Sequence, residues 1–114
     1  MALPGSCLCG GVRFEVDLPF RRANHCHCSF CRKHSGTFGL TQGRVPREQF
    51  RLLEGEELLR IFRPEGGEVS IRLGSLDGDP EIRPQYHSFV DSRAAWEELP
   101  ADGLPRYPGA NADA

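Results

Sequence analysis

A chain of 114 residues is enough for one domain that buries about two-thirds of the surface its unfolded form exposes. Its 14 basic and 16 acidic residues leave a formal net charge of −2, so there is no general attraction for nucleic acid, and no basic run is long enough to supply a local one. Residues 1–7 lack a basic start followed by an apolar stretch, and no apolar run reaches the roughly 18 residues of a membrane span, so a cytoplasmic protein with reduced thiols and no membrane partner is expected.

The 13 glycines and 9 prolines exceed the roughly 12% of ordinary domains and predict short strands joined by tight turns. After the Cys7-Leu8-Cys9 turn, residues 12–16 alternate apolar and charged side chains, the pattern of a half-buried strand, and Asp17-Leu18-Pro19 ends it. The Cys/His-rich segment that follows has no clean period and reads as a metal-held loop. Residues 38–41 predict a second strand, residues 46–49 one helical turn with proline first, and residues 50–53 a third strand. Residues 58–62 and 69–73 read as strands separated by the Pro64-Glu65-Gly66-Gly67 turn, and Asp77-Gly78-Asp79-Pro80 closes the next. Residues 86–90 have strand composition and lead into a short helical turn for which Asp91 or Ser92 is the expected cap. The fold class is mainly β.

Cys26, Cys28 and Cys31 fall within Asn24-His25-Cys26-His27-Cys28-Ser29-Phe30-Cys31-Arg32-Lys33. Thiols this close in a reduced chain point to a soft metal rather than to disulfides. Zinc–thiolate bonds of about 2.3 Å need several sulfurs converging on a tetrahedron, and short offsets achieve that without closing a long loop. Cys26, Cys28 and Cys31 are therefore the predicted ligands of one Zn²⁺. Three buried cysteines without a metal would instead turn the most polar stretch of the chain toward the core. Four sulfurs in an iron–sulfur arrangement are not evident. For Cys7 and Cys9 three readings stay open: a tight turn without metal, a pair completed by histidines, or a pair supplying the triplet's metal.

Four segments in order, Gly5-Ser6-Cys7-Leu8-Cys9-Gly10-Gly11-Val12-Arg13-Phe14, Cys26-His27-Cys28-Ser29-Phe30-Cys31-Arg32-Lys33-His34-Ser35-Gly36, Val69-Ser70-Ile71-Arg72-Leu73-Gly74-Ser75-Leu76-Asp77 and His87-Ser88-Phe89-Val90-Asp91-Ser92-Arg93-Ala94-Ala95-Trp96, resemble the glutathione-dependent formaldehyde-activating enzyme family, which also includes centromere protein V. The resemblance implies a small β-tent domain with two zinc sites. One takes the N-terminal C-x-C, matching Cys7 and Cys9, with a later C-P-x-C. The other takes the segment matching Cys26, Cys28 and Cys31 and keeps its fourth place open. No cysteine follows Cys31, and Arg60-Ile61-Phe62-Arg63 passes through the next turn almost directly to Val69, so the C-P-x-C hairpin is lacking and one zinc is expected. Residues 1–107 are then a single zinc-binding β-tent domain and residues 108–114 a flexible tail.

The implied activity is that of a zinc-dependent carbon–sulfur lyase acting on a glutathione–aldehyde adduct such as S-hydroxymethylglutathione, with small thiol and aldehyde substrates. Three thiolates leave a net charge of −1 at the zinc, which makes it a weak acidifier of water and an incoming thiol the better substrate. His27 and Arg32 are the catalytic candidates. Arg32 and Lys33, beside Cys31, can offset the cluster's charge or receive a carboxylate of the tripeptide, with a solvated basic pair as the alternative. Arg93 meets an anionic substrate or bridges strand and turn, and with Lys33 makes up the expected glutathione-binding set. His27 offers proton transfer or a structural hydrogen bond, pointing away from whatever Cys26 and Cys28 grip. His25 or His34 can take the open coordination place, His87 reads as a satisfied structural imidazole, and Phe30, Phe38 and Trp96 as core or pocket-wall residues. The competing reading is a catalytically inactive, zinc-stabilised binding or structural module, which follows if a histidine or the Cys7/Cys9 pair closes the tetrahedron. A redox or metal-buffer protein is a third. Without the zinc hairpin a strand edge is exposed that a second copy can cover, so a homodimer is expected.

Overall fold

The computed structural model describes residues 2–58 and 67–110. In chain order its strands are β1 (Ala2–Ser6), β2 (Arg13–Asp17), β3 (Arg22–Cys26), β4 (Leu40–Pro46), β5 (Phe50–Glu54), β6 (Glu68–Arg72) and β7 (His87–Ser88), with one α-helix, α1 (Ser29–Ser35), and short 3₁₀ turns among the described residues. The mainly β class is as expected. Apart from Leu58, the strand predicted over residues 58–62 lies outside the described residues, as do residues 64–66 of the turn after it and residues 111–114 of the predicted tail. The chain divides into two compact units, residues 1–22 with 43–83 and residues 23–42 with 84–114.

In the first unit β1, β2 and β5 form an antiparallel sheet in that order, with Leu3 opposite Val16 and Gly5 opposite Phe14. Pro4 and Gly5 disguise β1 in the sequence, yet a proline is tolerated there because β1 is an edge strand. Gly5 is required because a Cβ would run into the Phe14 ring and the Ser75 carbonyl. The alternation of β2 is realised: Val16 packs with Leu3, Phe20, Val45 and Ile71 in a hydrocarbon core flanked by Phe14, Phe50 and Leu73. On its polar face Arg51 of β5 donates to Glu15 at 2.6 Å and to both oxygens of Asp17 at 2.8 Å. β6 lies beside β4, and Glu68 at its start accepts from Arg21 at 3.1 Å and Arg22 at 2.8 Å. Burial pushes the Glu68 carboxyl up, but the two guanidiniums outweigh it and hold it below its ordinary range.

In the second unit the strand order is β4-β3-β7, and β3 runs parallel to β7 with His25 opposite His87 and Cys26 opposite Ser88. β7 is only two residues long, and its other side is held by the His87 N–H on the Pro105 carbonyl and the Tyr107 N–H on the His87 carbonyl, each at 2.9 Å. Further on, the Phe89 N–H reaches the Gly109 carbonyl at 2.8 Å. Helix α1 replaces part of the expected loop. Cys28 stands at its N-cap with its sulfur accepting from the Cys31 N–H, Arg32 and Lys33 place positive charge at its C-terminal end, and Gly36 stops it at φ 72° with its N–H on the Arg32 carbonyl.

The core of this unit is Cys26, Cys31 and Leu40, with Cys28 and Phe89 against it. Phe30 and Trp96, expected to be core or pocket-wall residues, are 63% and 68% exposed and so are not core. The helical turn Val90–Ser92 forms, but neither Asp91 nor Ser92 caps it; Phe89 precedes it in the left-handed region at φ 55°. No helix among the described residues is long and apolar enough to cross a membrane.

Gly39 follows α1 with its α-carbon against the Cys26 carbonyl, so a Cβ there would overlap that oxygen, whereas Gly74 opens onto free space. Gly39→Ala is expected to cost about 1–3 kcal/mol of unfolding free energy and Gly74→Ala close to nothing, measured by denaturant titration. The Arg51 hydrogen bonds, more than its charge, hold the Asp17 carboxyl below its ordinary range, and its own partial desolvation works against them. A carboxyl depressed in the folded state contributes stability that is present above its unfolded pKa, about 4, and is lost as pH falls through the lower folded value. Asp17→Asn is therefore expected to flatten the decline of stability with acid below about pH 4; a parallel decline in variant and parent would contradict the pairing.

Candidate metal centre

The Sγ atoms of Cys26, Cys28 and Cys31 all lie within 4.8 Å of one another. Three different local features bring them there. Cys26 is the last residue of β3, Cys28 is the N-cap of α1, and Cys31 is the only buried residue of that helix. Cys31 and Cys26 approach to 3.4 Å between sulfurs, and the Cys31 N–H points at the Cys28 sulfur from 3.3 Å. A tetrahedral zinc with bonds of about 2.3 Å holds its sulfurs about 3.8 Å apart, a spacing the trio brackets, with one pair at 3.4 Å and all within 4.8 Å, so the donor set fits such an ion. No histidine nitrogen or carboxylate oxygen among the described residues of this unit joins the group.

Electrostatics point the same way. Burial first, then the hydrogen bonds and negative charges of Cys28 and Cys26, push the Cys31 thiol far above its usual range. Burial also opposes ionisation of Cys28, but the hydrogen bonds it accepts, led by that from the Cys31 N–H, carry it below the usual range. The cluster therefore resists full ionisation on its own, and a bound cation is what would let all three sulfurs become thiolates together.

Around the thiols the unit is filled by polar side chains. Asn24 donates to the Ser88 hydroxyl at 2.9 Å and accepts from Gln42 at 3.3 Å. His25 shares a 2.7 Å hydrogen bond between Nδ1 and the Thr41 hydroxyl and stacks on His87 with ring centroids 5.0 Å apart. His27, 1% exposed, joins Nε2 to His87 Nδ1 at 2.9 Å; His87, 2% exposed, joins Nε2 to Asp102 Oδ2 at 2.8 Å. Burial, then the neighbouring His87, His25 and Arg93 charges, lower the His27 pKa to about 4. The His87 hydrogen bond, first among several, holds the Asp102 carboxyl below its usual range.

A family model described as glutathione-dependent formaldehyde-activating enzyme matches residues 2–69, more than half of the chain. The chain belongs to the glutathione-dependent formaldehyde-activating enzyme family. A Halomonas elongata protein provisionally named a glutathione-dependent formaldehyde-activating enzyme is 38% identical over 66 residues, which are 57% of this chain and 42% of the relative. The aligned part of the chain thus spans less than half the length of that relative. The family match contains the five cysteines, Arg32 and Lys33, whereas His87, Arg93 and Asp102 lie beyond it.

Relative to the family-like expectation, the three thiols meet, and the side chains around them are placed as follows. Arg32 points its Nε at the Ser92 carbonyl, 3.1 Å away, and Arg93 donates Nη1 to the Val90 carbonyl at 2.9 Å, so two cations distant in sequence flank one short turn. Lys33 is exposed on α1. His25 and His34, the histidines offered for the fourth place, are engaged elsewhere: His25 with Thr41, and His34 stacked on Phe30 at 5.9 Å. Phe38 lies against His27 at 5.8 Å. In the first unit Cys7 and Cys9 are exposed, and Cys9 accepts from the Gly11 N–H at 3.3 Å, the first of the contacts that lower its pKa.

Sequence reasoning missed Asn24, Thr41, Ser88 and Asp102. Only Asp102 carried a local sign, since Asp102-Gly103 marks a turn, and its Oδ1 does accept from the Leu104 N–H at 3.0 Å. Asn24 and Ser88 are both buried, so Asn24→Ala leaves the Ser88 hydroxyl without its donor. Each single alanine variant, Asn24→Ala and Ser88→Ala, is expected to cost about 1–3 kcal/mol, with the double variant costing less than their sum. Strict additivity in a denaturant-measured double-mutant cycle would contradict the bond.

Proposed function

We propose that Cys26, Cys28 and Cys31 hold one Zn²⁺ and that the chain is a carbon–sulfur lyase acting on S-hydroxymethylglutathione or a closely related glutathione–aldehyde adduct. The observation that carries this reading is the convergence of three sulfurs in a family member, with no fourth donor from the same unit beside them among the described residues. When bound, zinc supplies a soft Lewis acid that keeps an incoming sulfur deprotonated near neutral pH. The reaction is the reversible addition of glutathione sulfur to formaldehyde: a C–S bond forms, the carbonyl π bond breaks, and the thiol proton ends on the new hydroxyl.

The chain's own residues divide the remaining work. Cys28 is the partly exposed member of the trio, so its side is the open approach for an outside thiol. Arg32 and Arg93, each anchored through one nitrogen to a main-chain carbonyl, keep the rest of their guanidiniums for the carboxylates of the tripeptide, and Lys33 adds an exposed cation on the same helix as Arg32. Their charge also offsets the net −1 of three thiolates around a divalent ion. His27 is a neutral imidazole near pH 7 and adds no further charge beside the thiols.

A second reading has its own support. Cys26 and Cys31 are buried as the core of their unit, the setting of a structural ion, which favours a catalytically inactive zinc-stabilised module. Exchange NMR of ¹³C-formaldehyde with glutathione separates the two. Zinc-loaded protein is expected to accelerate adduct exchange, Cys→Ser at 26, 28 or 31 to abolish both zinc retention and acceleration, and Arg32→Ala to raise KM for glutathione about tenfold. Protein carrying one zinc that leaves the exchange rate at the uncatalysed value would overturn the lyase reading and leave the structural one.

A further inference from the structure

The one buried side-chain nitrogen or oxygen without a hydrogen-bond partner among the described residues is Nδ1 of His27. Its protonation follows from geometry. A proton on Nδ1 would be an orphaned buried N–H, which native interiors very rarely contain, so Nδ1 carries a lone pair and the ring proton sits on Nε2. That proton points to His87 Nδ1, 2.9 Å away, which must then be a lone pair as well. The His87 proton is thereby placed on Nε2, where it donates to Asp102 Oδ2 at 2.8 Å. Starting from the other end gives the same answer, because a carboxylate can only accept. The two ends of the chain of bonds agree on one arrangement: Asp102 accepts from His87, and His87 accepts from His27.

His27 lies between Cys26 and Cys28 in sequence, and Nδ1 is the ring nitrogen on the backbone side of the imidazole. Whatever fixes the ring fixes the main chain that carries two of the three thiols. Extending the metal reading above, we infer that Asp102 is a positioning residue for the metal loop: through His87 it locks the tautomer and orientation of His27 and so holds Cys26 and Cys28 at their spacing. Asp102 is itself tied down, its second oxygen accepting from the Leu104 N–H, and His87 is held by main-chain bonds on both sides of β7. The anchoring residue lies outside the region of family match, 75 positions along the chain from His27 (102 − 27). Carboxylate–imidazole pairs behind metal ligands usually act on a histidine that is itself a ligand. Here the carboxylate works two imidazoles away on the chain between ligands.

Long-range ¹H–¹⁵N correlation spectra of the reduced full chain labelled at histidine read the tautomers directly. His27 and His87 are both expected as single Nε2–H tautomers in the metal-free and the zinc-loaded protein; Nδ1–H at either ring would overturn the relay. In Asp102→Ala, His27, which has no contact with the altered side chain, is expected to show mixed tautomers, with Co²⁺ affinity falling about tenfold. A folded Asp102→Ala protein that keeps a pure Nε2–H His27, or one whose Co²⁺ affinity is unchanged, would sink the positioning role. The metal-free spectra stand whether or not the trio proves to bind zinc, and the wild-type result stands if the variant fails to fold.

Discussion

Three sulfur atoms gathered within 4.8 Å of one another, where burial and the neighbouring thiols oppose ionisation of Cys31, are the constraint around which the second unit is built. The trio stands where a hydrocarbon core normally does: the core cluster is Cys26, Cys31 and Leu40, and the other buried apolar side chains described in this unit, Ala23, Val90 and Ala94, are small. The first unit is held conventionally by Leu3, Val16, Phe20, Val45 and Ile71, each worth about 1.5–3 kcal/mol when fully buried. Small thiols supply much less by burial alone. Structural zinc in finger peptides contributes about 10–16 kcal/mol, enough to substitute for several large apolar side chains, so a zinc held at the trio would stabilise the fold of this unit.

The polar groups of the second unit fit this picture. Asn24, Ser88, Thr41 and three imidazoles surround the thiols in bonds that leave a single buried side-chain acceptor unmatched among the described residues. Such a network stabilises little in total but is costly to disturb, because each group removed strands its partner away from water. It defines geometry more than it adds energy. The cations Arg32 and Arg93 are likewise fixed by carbonyls of one turn, which keeps positive charge close to a cluster that becomes anionic when metallated.

What could be read from the sequence was local, and what could not was relational. β2 and β6 announce themselves by alternation between Gly and Pro breaks, and the three thiols by offsets of two and three residues. Helix α1 gives no such sign: it has seven residues, one of them buried, and its cap is a cysteine rather than Ser, Thr, Asp or Asn. β3 reads as a polar loop because the residues that make Asn24 and His25 acceptable inside a sheet, Ser88 and His87, arrive from more than 60 positions away. Phe30 and Trp96 mislead in the opposite sense, since aromatic size favours burial but does not enforce it. Asp102 looks like any turn aspartate until β7 brings His87 to it.

Family membership and the convergence of three sulfurs meet at one place in the chain, the Cys26, Cys28 and Cys31 trio. The most direct measurement is zinc K-edge X-ray absorption on the reduced, zinc-loaded protein without added thiol. One zinc with three sulfurs at about 2.3 Å and one lighter neighbour is expected, rising to four sulfurs when glutathione is added. Four protein sulfurs before any thiol is added, or fewer than three at any stage, would contradict that expectation.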